Sequence, residues 1–167
     1  MIVKKMPILQ GFPDFETVKF FTGKYFQKYN FSPVFYDIET TGLSRKSTFL
    51  YLIGAVGIED ETWYFYQWMS ENDKEEETIL RIFSQFLQQC DLLISYNGER
   101  FDQPYLETRY EKYGLPSPFE HKMSLDLYLT LKPLKTLLKL PALKQPCLEE
   151  FLGIKDRIYN NGKECIQ

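Results

Sequence analysis

Three acidic side chains stand where they could do chemistry on a charged ligand. Asp37 and Glu39 lie in Phe35-Tyr36-Asp37-Ile38-Glu39-Thr40-Thr41-Gly42-Leu43, and Asp102 lies in Tyr96-Asn97-Gly98-Glu99-Arg100-Phe101-Asp102-Gln103-Pro104. Both blocks follow apolar runs that read as strands. Two residues apart on a strand, the Asp37 and Glu39 carboxylates leave the same face roughly 7 Å apart. Ile38 points the other way, into packing. Thr40-Thr41-Gly42 then turns the chain and leaves the carboxylates at an open sheet edge. Oxygen donors of this kind suit hard cations such as Mg²⁺ and Mn²⁺. Two such ions ~3.5–4 Å apart activate a water and stabilise the leaving oxygen of a phosphodiester.

An Asp-x-Glu pair alone is weakly diagnostic, because it also occurs at Asp14/Glu16 and Asp73/Glu75. The first lies in a polar stretch; the second opens an amphipathic helix, where solvated N-terminal charge explains it. Only Asp37/Glu39 is embedded in a buried strand, where neighbouring carboxylates without a cation are costly. In the second block two readings stand side by side. If Leu92–Tyr96 lies beside the first strand, Asp102 reaches the same edge. Otherwise Asn97-Gly98 is a turn and Asp102 an N-cap for the following helix.

The elements that must position these residues follow from periodicity. Val34–Ile38, Phe49–Ile58 and Thr62–Trp68 read as strands, with Glu59-Asp60-Glu61 as a hairpin turn, so an antiparallel three-strand meander is expected. From Asp73 to Cys90, residues Ile79, Ile82, Phe83, Phe86 and Leu87 form one apolar helical face. Asp91–Tyr96 is the next strand, parallel to its partner because a helix leads into it. Pro104–Tyr113 reads as a helix stopped at Gly114, and Ser124–Leu127 as a last short strand. Short helices are expected at Leu134–Leu140 and Cys147–Leu152. Residues 1–31 are polar, with Phe15, Val18, Phe21, Tyr25 and Tyr29 at helical spacing. The result is a single α/β domain: a mixed sheet, three antiparallel strands then parallel ones, flanked by helices.

A chain of 167 residues with 44% hydrophobic and 26% charged residues suits one globular domain. A net charge of −3 argues against binding nucleic acid through the overall field, but not against a nuclease with an acidic site. Cys90, Cys147 and Cys165 are widely separated and lack Cys-x-x-Cys spacing, which favours reduced thiols over a disulfide framework or zinc. No apolar run approaches the ~20 residues needed to cross a bilayer, and the N-terminus lacks a signal-peptide core. A cytoplasmic protein without membrane contact is expected. Lys132, Lys135, Lys139 and Lys144 alternate with Leu131, Leu134, Leu138 and Leu140 and admit two readings: contact with substrate phosphates, or the solvated face of an amphipathic helix. Trp63 and Trp68 are assigned to packing. Phosphate loops, nucleophile elbows and zinc signatures are absent from the sequence.

The string F-Y-D-I-E-T-T-G-L, followed after about 55 residues by Y-N-G-E-R-F-D-Q-P-Y-L, resembles the first two motifs of the DEDD superfamily of 3′→5′ exonucleases. It is most similar to YprB-type exonucleases, which are related to the proofreading domains of family B DNA polymerases. The likeness extends to Leu52-Ile53-Gly54, Ser124-Leu125-Asp126-Leu127-Tyr128 and Leu148-Glu149-Glu150-Phe151-Leu152-Gly153-Ile154, and so covers about residues 33–160. The resemblance implies a ribonuclease-H-like fold and a two-metal Mg²⁺ or Mn²⁺ site held by Asp37, Glu39 and Asp102. It implies that Asn97 shapes the substrate groove and that Thr41 and Leu43 border the 3′-terminal nucleotide. Phe101 is read as a core anchor that aims Asp102.

The family pattern closes with a fourth carboxylate, preceded by Tyr four residues earlier or His five residues earlier. After Asp102 the one match in spacing is His121 to Asp126. It falls only 24 residues beyond Asp102, on an expected strand, and is read instead as a surface histidine and a strand-end aspartate. Lys155 to Cys165 resembles the segment that precedes the family's last motif, so a domain lacking its C-terminal motif-bearing helix is expected. The sequence thus points to a 3′→5′ exonuclease acting on single-stranded ends of DNA or RNA. The alternatives are a catalytically incomplete nucleic-acid-binding or regulatory module on the same fold and, less favoured, a Mg²⁺-dependent phosphatase or other nuclease using the same acidic edge.

Overall fold

The computed structural model describes residues 1–9, 12–26 and 31–154. Strands β1 (Ile2–Pro7), β2 (Pro33–Thr40), β3 (Leu50–Glu59), β4 (Thr62–Met69), β5 (Leu92–Ser95) and β6 (Met123–Asp126) alternate with helices α1 (Phe15–Phe26), α2 (Glu76–Phe86), α3 (Asp102–Lys112), α4 (Leu127–Leu131) and α5 (Gln145–Phe151). The six strands form one sheet in the order β1-β4-β3-β2-β5-β6. β2, β3 and β4 are the expected antiparallel meander, and β5 pairs in parallel with β2 and β6 in parallel with β5.

Local chemistry explains the connections. β3 and β4 meet at Glu59 and Thr62 across the two-residue loop Asp60-Glu61, whose φ values of 46° and 61° are both left-handed. That combination matches the twist of an antiparallel pair. In β2 the side chains of Val34, Tyr36 and Ile38 enter the main core with Ile53, Trp68, Ile79, Phe83, Tyr105 and Leu106, beneath α2 and α3. Burying each large apolar side chain contributes about 1.5–3 kcal/mol. The opposite face carries a smaller cluster of Phe31, Leu92, Ile94 and Leu125, with Phe35 and Leu127 packed on it. Trp68 lies in the main core, and Trp63 packs against Phe12 and Phe35, so both tryptophans are packing residues as expected.

A buried ion pair joins the two core helices. Glu76 at the start of α2 and Arg109 in α3 are 0% and 1% exposed. Arg109 Nε donates to Glu76 Oε1 at 2.7 Å and its Nη2 to Oε2, while the Leu50 N–H and Tyr113 hydroxyl also donate to Glu76 at 2.8 and 2.7 Å. Arg109 Nη1 donates to the Arg45 carbonyl at 3.0 Å, and Thr48 Oγ1 lies 2.9 Å from the Tyr105 hydroxyl. The connection between β2 and β3 is thereby clamped onto α3.

Several expectations are corrected. The polar N-terminus contains β1, which pairs antiparallel along the outer edge of β4. All six of its residues are exposed, so its basis is the backbone ladder and not an apolar face. The expected 73–90 helix is three pieces, a 3₁₀ turn at Asp73–Glu75, α2, and a second 3₁₀ turn at Leu87–Gln89. A regular helix over Leu134–Leu140 is absent. Instead α4 and a 3₁₀ turn at Lys132–Leu134 lead into one helical turn. That turn is closed by Leu140 N–H to Lys135 O (3.0 Å) and Lys139 N–H to Thr136 O (3.1 Å). The second short helix, α5, starts at Gln145, two residues earlier than expected. Tyr29, Cys165 and the segment Lys155 to Cys165 lie outside the described residues.

Candidate acidic active site

Asp37 and Glu39 leave β2 on the face opposite Tyr36 and Ile38, as period-two alternation requires. β2 lies between β3 and β5, but its ladder with β5 ends at Phe35, so at Asp37 and Glu39 it is paired with β3 alone. One expectation about them is corrected. Both side chains are exposed, because their face opens into a cleft and only the Tyr36/Ile38 face is covered. The cleft is about 520 Å³ and is lined by Asp37 and Glu39 together with Leu52, Gly54, Phe65, Gln67, Tyr96 and Leu127 among others. Its walls partly desolvate Glu39 and raise its carboxyl pKa although the side chain reaches solvent. A β-bulge separates Glu39, opposite Leu52, from Thr40, opposite Leu50. Such bulges re-aim side chains at the ends of ladders.

Asp102 reaches Asp37 through a backbone donor. The last β2–β5 pair is Phe35 with Ile94, and β5 leaves the ladder at Ser95. Beyond this point the Ile38 N–H donates to Asp102 Oδ1 at 3.1 Å. Asp102 is only 5% exposed. Burial, followed by the charge of Asp37, pushes its carboxyl up to about 7, against the pull of the Ile38 N–H. Burial and then the nearby Asp102 charge also raise Tyr36. Asp102 is the first residue of α3, and the residue at the cap, Phe101, makes no side-chain cap bond. The N-cap reading of Asp102 is therefore replaced by a tether between helix and strand. Phe101 packs on the main core with its ring centroid 5.7 Å from that of Tyr105, in keeping with its role as an anchor.

The turn reading of Asn97-Gly98 is correct. Asn97 has φ 63°, in the left-handed region that asparagine tolerates, and Gln103 N–H donates to Gly98 O at 2.9 Å. A Cβ on Gly98 would lie 2.5 Å from Ser95 Oγ and 2.6 Å from its Cβ, so the chain can pass here only as glycine. Asn97 is half-buried beside the Asp102 turn but does not line the cleft. Thr41 closes the β2–β3 connection, donating its N–H to Phe49 O at 3.0 Å and accepting the Phe49 N–H on its hydroxyl at 3.1 Å. Leu43, in the same connection, is 84% exposed. Neither Thr41 nor Leu43 lines the cleft.

Sequence reasoning left Asp126 as a strand-end aspartate. Its carboxylate is 3% exposed and accepts four backbone N–H groups, from Asn97 (2.9 Å), Glu99 (3.2 Å), Tyr128 (2.9 Å) and Leu129 (3.2 Å). It caps α4 and fastens the turn that leads to Asp102. His121 is exposed in a turn with φ 62°, the surface histidine expected. Glu76 and Arg109 were missed altogether, since nothing in sequence distinguishes Glu76 from the acidic residues Glu75 and Glu77 around it.

The donor chemistry fits a hard divalent cation in part. The charges of Asp37 and Asp102 oppose one another, a repulsion a cation would relieve, and Glu39 opens with Asp37 into the cleft, which Asp102 does not line. Among the described residues, however, no group of three His, Cys, Asp or Glu side chains is gathered closely enough to hold a metal ion.

The fold and site define a class. The chain belongs to the RNase_H superfamily, whose model matches residues 34–167. The ribonuclease-H-like fold implied by the two motifs is borne out. Among solved structures, the family B DNA polymerase of the hyperthermophilic archaeon Pyrobaculum calidifontis matches at TM-score 0.61 and 17% identity, over 80% of this chain and 20% of the polymerase. E. coli exonuclease I in complex with a dT13 oligonucleotide matches at TM-score 0.58 and 14% identity, over 75% of this chain and 36% of that one. This chain therefore corresponds to a fifth of the polymerase and about a third of the exonuclease. No curated protein matches by sequence.

Proposed function

We propose that this single ribonuclease-H-like domain is a metal-dependent nuclease that removes nucleotides 3′→5′ from single-stranded DNA or RNA. The observation that carries the reading is the approach of the two motifs: Asp102 accepts the Ile38 N–H at 3.1 Å, one residue along β2 from Asp37, whose charge helps to raise the Asp102 carboxyl. Asp37, Glu39 and Asp102 would hold Mg²⁺ or Mn²⁺, which supplies charge neutralisation at the scissile phosphate when bound. Asp37 and Glu39 present fixed oxygens to the cleft, and the Ile38 N–H orients the Asp102 carboxylate. Thr41, Leu43 and Asn97 are assigned to the borders of the substrate groove. The free thiols Cys90 and Cys147 support a reducing, cytoplasmic setting. No described helix is long and apolar enough to cross a membrane.

A second reading is a binding or regulatory module that does not turn over. It is favoured by the three carboxylates not closing into one cluster, and by the engagement of Asp126 with backbone N–H groups. End-labelled single-stranded DNA and RNA incubated with Mn²⁺ separate the two. Stepwise shortening from the 3′ end, abolished by Asp37→Ala, supports the nuclease. Salt-sensitive binding without cleavage supports the module.

A further inference from the structure

The four lysines singled out in the sequence are not on one face of a helix. They ride on the exposed arm that follows β6: Lys132 in the 3₁₀ turn, Lys135 and Lys139 in the helical turn, and Lys144 just before α5. All four are exposed, and none makes an ion pair among the described residues. From Leu127 to Leu148 there is no acidic residue, although the chain as a whole carries −3. Both ends of the arm border the acidic cleft, through Leu127 and Gln145. The Tyr96 hydroxyl, at the end of β5, donates to the Leu143 carbonyl and pins the arm there.

The arm also carries strain at a charged position. Its helical turn ends in a Schellman motif, with Lys139 at the position where glycine is favoured and φ at 53°. A side chain in this conformation is disfavoured, and such outliers gather where a residue serves something other than stability. Leu140, the next residue, is 5% exposed and anchors the turn, so the conformation is held by packing.

We propose that Lys132, Lys135, Lys139 and Lys144 form a phosphodiester-backbone track that guides a single strand toward the cleft holding Asp37 and Glu39. The inference rests on the nuclease reading above, or on the nucleic-acid-binding form of the module reading. A local positive track on an acidic molecule lets binding depend on a few phosphate contacts and not on the overall field. Exposed Leu134 and Leu137, 41% and 77% accessible, lie between the lysines and offer apolar surface to unstacked bases. An anionic membrane offers the same charge, but its plane has no reason to end at a carboxylate cleft.

The test is fluorescence anisotropy of labelled 20-nucleotide DNA and RNA with EDTA present, so that binding is read without cleavage. Replacing all four lysines with Gln should weaken binding at least tenfold. It should lower the slope of log affinity against log salt by about 0.7 per lost contact. Lys139→Gly should raise the melting temperature while weakening binding severalfold, a pairing that a misfolded variant cannot produce. If the wild type binds and the fourfold variant keeps its affinity and salt slope within twofold, the track is overturned while the nuclease reading stands. If the wild type binds neither nucleic acid, both fall. Lysine-dependent binding to phosphatidylserine vesicles, with nucleic-acid binding unaffected by the substitutions, also overturns the track.

Discussion

Asp126 and Asn97 are joined across the ends of β5 and β6, where Asp126 Oδ1 accepts the Asn97 N–H at 2.9 Å. The same oxygen accepts the Tyr128 N–H at the start of α4, also at 2.9 Å. One buried carboxylate therefore joins the turn after β5 to the start of α4, alongside the β5–β6 ladder and the Tyr96–Tyr128 ring contact. Asp126→Ala should destabilise the fold by about 2–3 kcal/mol, combining a lost helix cap with orphaned N–H groups. Asp126→Ser restores the cap but cannot span to the turn. Urea unfolding should show partial recovery with Ser, while amide exchange at Asn97 and Glu99 stays fast. Equal protection of those amides in the Ser variant and the wild type would refute the tether.

Asp102 gives the pH dependence a definite sign. Its carboxyl is raised to about 7 from the ordinary aspartate value of 3.8, so the folded protein keeps a proton that the unfolded chain releases. The stability this contributes is complete below about pH 4 and is lost as pH climbs toward 7. Asp102→Asn should match the wild type at low pH and become more stable by on the order of 2–4 kcal/mol at pH 8 without metal. Mn²⁺ at pH 8 should close that gap by stabilising the wild type. Melting curves that run parallel across pH 4–8, with and without Mn²⁺, would count against both the shift and the cation.

The Glu76–Arg109 pair should be far more sensitive to loss of one partner than to loss of both. Desolvation raises the Glu76 carboxyl, but the bonds from Arg109, Leu50 N–H and Tyr113 outweigh it and hold the pKa below the ordinary value. Arg109→Met leaves the buried Glu76 with only the half-exposed Lys112 ammonium, 3.6 Å away, as a cation partner and should cost about 3–5 kcal/mol. The double variant Glu76→Leu/Arg109→Met should recover much of that loss in a urea double-mutant cycle. Additive losses would show that the pair is not coupled.

Gly98→Ala should shift the turn, since the added methyl meets the Ser95 side chain, Oγ at 2.5 Å and Cβ at 2.6 Å. A loss of about 1–3 kcal/mol is expected from such overpacking. Removing the obstruction with Ser95→Gly in the same chain should restore part of it, as read by thermal denaturation. No recovery in the double variant would place the cost elsewhere.

What the sequence disclosed follows from what leaves a pattern. The β2–β4 meander was legible because Val34, Tyr36 and Ile38 alternate with residues of the opposite face. The α2 face was legible because Ile79, Phe83 and Phe86 recur at helical spacing. β1 left no such trace: Ile2, Lys4 and Met6 face solvent as fully as Val3, Lys5 and Pro7. The Asp37–Asp102 meeting was suggested by motif order, yet the bond that fixes it runs to an N–H 64 residues away. The exposure of Asp37 and Glu39 was misjudged because a central strand need not be covered on both faces. The turn at Lys139 was illegible because its glycine position holds lysine.

At Asp37 and Glu39, β2 is held by β3 along one flank alone, whereas Asp102 stands on a turn and a helix start fastened by Ile38 and Asp126. The two halves of the acidic site are thus set by different means. Asp37 and Glu39 act as one jaw whose spacing is fixed by the strand repeat. Asp102 is the opposing jaw, and its placement is inherited from the Asn97 turn that Asp126 fastens and from the buried face of α3 behind it.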